Sequence, residues 1–235
     1  MANPQRSTAG ISTAAKGTTL WNFLAPDPTK VHTYFNDFDT YAAGDFTITE
    51  TGSGTRALTA VEGGNLLITN AAADNDNNQF QLVTAGFTLV AGKRAWFKCR
   101  CKISDATQSD WCVGMTSQDT DVFSSADGDG VTDGVFFWKD DGDTNIDIQV
   151  QLNATTGQTR STAVATMDTN FHVYGWDYDG AAYIKFYVDD VHISTMDASA
   201  TYLPDAALVP TFAIKNGEAV AKTMTVDYIF ASVER

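Results

Sequence analysis

The side chains able to do chemistry in this 235-residue chain are mostly carboxylates, and nearly all are of one kind. Only Glu50, Glu62, Glu218 and Glu234 are glutamates; the other 25 of the 29 acidic residues are aspartates. Aspartate favours turns and loops, so many of these groups read as turn formers before they read as catalysts. Asp127-Gly-Asp-Gly-Val-Thr-Asp133 and Asp140-Asp-Gly-Asp143 have the look of calcium loops. Neither has the Glu at position twelve or the flanking helices of an EF-hand, and ordinary turn chemistry accounts for both. Cys99, Cys101 and Cys112 are the only thiols, and His32, His172 and His192 the only imidazoles. Their spacing does not make the four-ligand set of a zinc site. No glycine-rich phosphate loop and no nucleophile elbow is present, and His172 and His192 sit in apolar strand sequence, as structural histidines do.

The elements that must position these groups are strands. Short apolar runs recur every 8–12 residues from Tyr34 onward, separated by turn signals such as GSG, DNDN, DGDG and ATTG. That rhythm is the mark of a sandwich or barrel, and no segment carries an apolar stripe of helical period. The clearest strand is Ala95–Ile103, where Phe97, Cys99, Cys101 and Ile103 alternate with Trp96, Lys98, Arg100 and Lys102. The first set faces a core and the second faces outward. Cys-x-Cys is therefore a pair of core neighbours. Lys98, Arg100 and Lys102 form either an ordinary solvated face paired with aspartates or a basic stripe for an acidic partner. Gly63-Gly64, Asn153–Gly157 and Asp189-Asp190 read as hairpin connections. Further strands are expected at Phe87–Val90 and Ala163–Val164. Trp111 and Trp176 read as core, whereas Trp96 and Trp138 are open between core and an exposed sugar-stacking platform.

Charge and composition bound the function. Net charge is −14, which sets the body against nucleic acid and anionic membranes. Residues 1–30 hold Arg6, Lys16 and Lys30 against Asp27, or +2, which leaves −16 on the remainder. Residues 1–33 read as an extended arm and 34–235 as one β-sandwich domain. The first 20 residues lack periodicity, and Trp21, Phe23 and Leu24 make an apolar cluster that docks on the chain's own sandwich or on another subunit. No signal-peptide or membrane-spanning run is read from the sequence. The expectation is a chain made in the cytosol with reduced, buried cysteines.

Asn170-Phe-His-Val-Tyr-Gly-Trp-Asp-Tyr-Asp-Gly180 and Tyr183-Ile-Lys-Phe-Tyr-Val-Asp-Asp190 resemble paired strands of concanavalin A-like jelly rolls, notably laminarinase-type glycoside hydrolases. Met224-Thr-Val-Asp-Tyr-Ile-Phe230 is similar to the strand that closes those domains, and Tyr34-Phe-Asn-Asp-Phe-Asp-Thr-Tyr41 to the one that opens them. The resemblance implies a two-sheet antiparallel all-β jelly-roll sandwich. It also implies a structural calcium ion (Ca2+) held by Asp227, with Asp37 or Asp39 near the start. The family's enzymes carry Glu-x-Asp-x-x-Glu or Glu-x-Asp-x-Glu on one strand face, placing two carboxylates about 5 Å apart. The nearest match here, Asn145-Ile-Asp-Ile-Gln149, has amides at both Glu positions. An amide is neither a general acid nor a carboxylate nucleophile, so the expectation is a protein that is not an enzyme.

An acidic sandwich with a low-complexity arm and an apolar plug suits a virion surface. Stretches such as AAGDFTITETGSGT and NAAADNDNNQF also look like tailed-phage structural proteins. The first expectation is a phage capsid decoration or cement protein, homo-oligomeric on the virion. It would contact the major capsid protein and neighbouring copies through Trp21, Phe23, Leu24, Lys98, Arg100 and Lys102. The alternative is a carbohydrate-binding module for host glycans, and a third is a divergent glycosidase working through aspartates such as Asp147.

Overall fold

The computed structural model describes residues 5–7, 10–12, 29–124, 128, 130–153, 159–199 and 201–235. Trp21, Phe23 and Leu24 lie outside the described residues. Two antiparallel sheets stack as a sandwich, as expected. The first has seven strands: β4 (Phe46–Thr51), β7 (Asn77–Leu82), β9 (Ser109–Thr116), β10 (Gly134–Lys139), β11 (Asn145–Gln151), β12 (Thr159–Thr166) and β16 (Val209–Asn216). Their spatial order is β12-β11-β10-β9-β16-β7-β4. The second contains β3 (Val31–Asn36), β5 (Thr55–Thr59), β6 (Asn65–Thr69), β8 (Ala95–Ile103), β13 (His172–Tyr178), β14 (Tyr183–Val188), β15 (Val191–Asp197) and β17 (Thr223–Glu234). It runs β15-β14-β13-β8-β17-β6-β5, with β3 also paired to β17.

Long β17 organises the second sheet. One side pairs with β8 over most of its length; the other takes β6 at Thr223–Val226 and β3 at Ile229–Glu234. A register shift between Val226 and Tyr228 falls where the partner changes. In β8 the expected alternation holds: Phe97, Cys99, Cys101 and Ile103 are buried, and Trp96, Lys98, Arg100 and Lys102 are half-buried on the outer face. All three cysteines are buried and free.

Several local expectations change. Gln5–Ser7 (β1) and Gly10–Ser12 (β2), within the span read as an arm, pair antiparallel with each other. β3 begins at Val31, before Tyr34. Phe87–Val90 makes a single bridge, Phe87 to Leu208, in place of a strand. β5 is an edge strand whose Thr-Arg-Ala-Leu-Thr run buries no residue fully, so it has no alternation to read. A 3-10 turn spans Ala43–Asp45.

Turn chemistry positions the sheet ends. Gly64 has φ +66 and its α-carbon lies against the Phe38 carbonyl, where a β-carbon would collide. Asp189 and Asp190 both adopt left-handed φ (51° and 61°), the geometry of a two-residue hairpin between β14 and β15. That turn is clipped to β13 from two sides. The Asp189 carboxylate accepts Val173 N–H at 2.8 Å and meets His172 Nδ1 at 2.6 Å, while His172 Nε2 meets Asp168 at 3.0 Å.

Between the sheets, Phe38, Phe46, Phe80 and Phe212 form an aromatic knot, with Phe80 and Phe212 stacked at 4.8 Å. Phe212→Ala is expected to cost about 3–5 kcal/mol of stability in urea unfolding, since both rings are fully buried. Exposed Val220→Ala should change it by less than about 0.5 kcal/mol.

Partial burial opposes a charge on His172, but the hydrogen bonds and charges of Asp189 and Asp168 outweigh it and raise its pKa. The folded pKa then lies above the unfolded value of about 6.5, so the clip stabilises fully below that pH. Its contribution is lost as pH rises through the raised value. Urea midpoints of the wild type and His172→Gln should therefore differ more at about pH 5.5 than at about pH 8.5. An equal difference at both would show that the imidazole charge plays no part.

Candidate functional site

The seven-stranded sheet is buried on both faces along its five inner strands, β7, β9, β10, β11 and β16, as the strands of the second sheet are not. Its inner face supplies Trp111, Val113, Met115, Val135, Phe137, Ile146, Ile148 and Phe212 to the core. On its outer face, strand register aligns Asp147, Trp138, Cys112, Ala213 and Gln79 in one row across five strands. A neighbouring row holds Gln149, Phe136, Gly114, Thr211 and Gln81. The described residues of the connection from β9 to β10, 117–124, 128 and 130–133, lie across this face. Val122, Phe123 and Val131 pack with Cys112, Phe136, Trp138 and Ala213 in a second apolar cluster, separate from the main core. Phe123 meets Trp138 at 5.3 Å between ring centroids.

Two glutamines tie the connection down. Gln79 Nε2 donates to the Asp119 carbonyl at 2.7 Å, and Gln79 Oε1 accepts Val122 N–H at 2.8 Å. Gln81 Oε1 accepts Asp119 N–H at 2.9 Å, while its Nε2 reaches Thr116 Oγ1 (2.9 Å) and the Ser117 carbonyl (3.0 Å). Farther along, Gly128 comes so close to the sheet that a β-carbon there would lie 2.5 Å from Gln149 Nε2, and its φ is +74. Gln151, at the end of the same strand face, is fully buried, and neither side-chain amide atom has a hydrogen-bond partner among the described residues.

Charged groups rim this face. Asp147 Oδ2 accepts from the Arg160 guanidinium (Nε at 3.0 Å), and Oδ1 accepts Ala163 N–H at 2.7 Å. Trp138 Nε1 donates to Asp140 at 2.8 Å, and Arg160 stands 3.7 Å from the same carboxylate. Lys215 Nζ pairs with Asp110 at 2.6 Å and lies 5.6 Å from the Phe123 ring centroid. Burial pushes the Asp110 pKa up, and the Lys215 ammonium opposes that rise. Arg160 and Asp140 keep 24% and 31% of their side-chain surface exposed, so the rim is open to solvent although Trp138 is not.

Asn145, Asp147 and Gln149 do share one strand face, and that face is the covered one. Asn145 is exposed and bonded to Asp143, Asp147 is ion-paired, and Gln149 is fully buried. Trp138 is core to the second cluster; Trp96 stays half-buried on the opposite sheet beside Arg94, 5.3 Å from its ring. Lys98 pairs with Asp190, Arg100 with Asp227, and Arg100 and Lys102 flank the Phe171 ring at 4.5 and 4.9 Å. The basic stripe is thus knitted into its own sheet. Gln79, Gln81, Thr211, Phe123 and Arg160 were not legible as site residues. Gln79 and Gln81 flank Phe80 with the period-2 pattern of a solvated face, and nothing local reports a connection forty residues away that covers them.

The side chains around Asp227 do not fit the calcium ion implied by the resemblance. Arg100 already holds that carboxylate, a divalent cation would meet the guanidinium at the same oxygens, and Asp39 is exposed. Among the described residues no three His, Cys, Asp or Glu side chains converge as a metal site.

No protein-family model matches the sequence, and no curated protein matches it. Solved structures do match in fold. An endo-1,3-beta-glucanase from Streptomyces sioyaensis is similar at TM-score 0.60 and 14% identity, over 89% of this chain and 99% of that one. A glycoside hydrolase family 16 endo-glucanase from Bacteroides ovatus is similar at TM-score 0.59 and 12% identity, over 83% and 98%. The carbohydrate esterase vb_24B_21 of the Shiga toxin-encoding bacteriophage phi24B gives TM-score 0.52 and 12% identity, over 86% and 97%. These likenesses overturn the expectation that the chain is not an enzyme, because the scaffold is one that endo-glucanases use. The expectation rested on local spacing, and spacing is blind to carboxylates that folding gathers from different strands, as Asp140 and Asp147 are gathered at Arg160. At such identities the likeness carries the fold and not the activity. The chain is a concanavalin A-like jelly-roll sandwich, similar in fold to glycoside hydrolase family 16.

Proposed function

We propose that the protein engages carbohydrate through the outer face of its seven-stranded sheet, entering from the rim at Arg160, Asp140 and Asp147. The observation that carries this reading is the makeup of that face. It sets an indole among planar amides, hydroxyls and ion-paired carboxylates on a rigid sheet. Sugars present paired hydroxyls and an apolar ring face, which such a combination complements. The likeness to two glucanases and a carbohydrate esterase supports the same ligand class.

The test is a glycan array with the full chain, followed by reducing-sugar release from each glycan bound. Asp147→Asn keeps shape but removes the charge that orients Arg160, and affinity should fall roughly tenfold, as for loss of a charge-assisted hydrogen bond. A folded protein that binds no glycan would sink the reading.

A second reading, a virion surface protein held to the capsid and to neighbouring copies by residues 1–33, draws on two features. The opening 30 residues carry +2 against a body of −16, and one structural likeness is to a bacteriophage protein. Deleting residues 1–30 should abolish retention on purified particles while leaving the melting temperature of the sandwich within a few degrees. Unchanged retention would count against it.

A further inference from the structure

We infer that the segment Ser117–Ser124, with Val131, is a built-in occupant of the carbohydrate site, which must leave for a glycan to reach Trp138. The inference rests on the carbohydrate reading and adds how the site is controlled. The groups a sugar would use are already used. Gln79 and Gln81 spend their amide donors and acceptors on the backbone of Ser117, Asp119 and Val122, the same N–H and C=O chemistry that hydroxyls would satisfy. The Trp138 and Phe136 rings, the apolar platform of the face, are covered by Val122, Phe123 and Val131. Trp138 is left 1% exposed and Gln149 fully buried.

The attachment is of a kind that can release. It consists of the hydrogen bonds of Gln79 and Gln81, those of the Gln118 amide to the Leu82 and Val83 carbonyls, the Lys215 ammonium over the Phe123 ring and one small apolar cluster, and that cluster lies apart from the core between the sheets. Moving the segment would cost the backbone bond from Ser117 N–H to the Asp133 carbonyl (2.7 Å) but leave the pairing of β9 with β10 and β16 intact, because the paired strands end at Thr116 and Gly134. A site closed in most molecules binds with an apparent affinity lowered by the open fraction, so loosening the segment raises affinity without a new contact.

Cys112 makes the motion measurable. Its thiol lies beneath the segment, while Cys99 and Cys101 lie between the sheets. A native maleimide pulse, read by peptide mass mapping, therefore separates opening of the segment from opening of the core. In the doubly substituted full chain, Val122→Ala with Phe123→Ala, Cys112 should be modified at least tenfold faster, with Cys99 and Cys101 still protected. Affinity for a glycan taken from the array should rise by a similar factor. If Cys112 reacts faster and affinity is unchanged or lower, the segment does not gate the site, and the carbohydrate reading survives alone. If Cys112 gains no reactivity, the segment is not held by this cluster and the inference fails. If neither protein binds any glycan, the carbohydrate reading falls and this inference with it. Should Cys99 and Cys101 also react, the milder Val131→Ala is read by the same criteria.

Discussion

The bonds of Gln79 and Gln81 to the connection between β9 and β10 are the interaction on which the outer half of the molecule depends. A sheet face with adjacent glutamines is stable in water, or under a cover that satisfies every amide atom. Here Gln79 and Gln81 bond each other at 3.0 Å and then bond the segment above them. With that backbone fixed, Val122 and Phe123 arrive over Trp138, and a polar face becomes the floor of an apolar cluster. Gln151 on the same face, at the end of β11, shows the contrast: its buried side-chain amide has no hydrogen-bond partner among the described residues. Satisfied and unsatisfied amides thus lie on one surface, and the satisfied ones are where the covering chain is held.

Charge is arranged on a complementary plan. In a chain of net −14 the cations are few, and several tie together strands or loops remote in sequence. Arg100 joins β8 to Asp227 of β17, Arg160 joins β12 to Asp147 of β11, and Lys215 joins β16 to Asp110 of β9. Lys222 takes both Asp105 and Glu218 at the sandwich end, and the N–H of Gln108 together with that ammonium holds Asp105 down to about 2. Lys139 is fully buried and spends its ammonium on the carbonyls of Thr107, Ser109 and Asp140, with burial pulling its pKa down. The ties at Arg160 and Lys215 also rim the candidate site. The same economy that steadies the sheet supplies its polar edge.

How much could be read in advance differs sharply between the two sheets. The second has one wet face, so β8 declares itself by alternation, and Lys98, Arg100 and Lys102 fall where period 2 puts them. The inner strands of the seven-stranded sheet have two dry faces, and in β9, β10 and β16 nearly every residue is buried. Such strands are visible as apolar runs, but which side meets the core and which meets a covering segment is not encoded in their periodicity. Trp138 was open between core and platform for that reason. The inference from Asn145 and Gln149 to a protein without catalysis failed similarly: it weighed one strand, and folding also brings carboxylates together from separate places in the chain, as at Arg160.

The sequence by itself determined what local physics controls. Alternation specified strands, the aspartate and glycine clusters specified turns, and the motif around Trp176 with the closing strand specified the sandwich. Tertiary structure alone decided strand order, the partner of each cation described above, and the laying of Ser117–Ser124 across the outer sheet. Those are long-range choices, fixed by which distant groups can satisfy one another once buried. A glutamine on a strand looks the same whether water or a folded-over segment will be its partner.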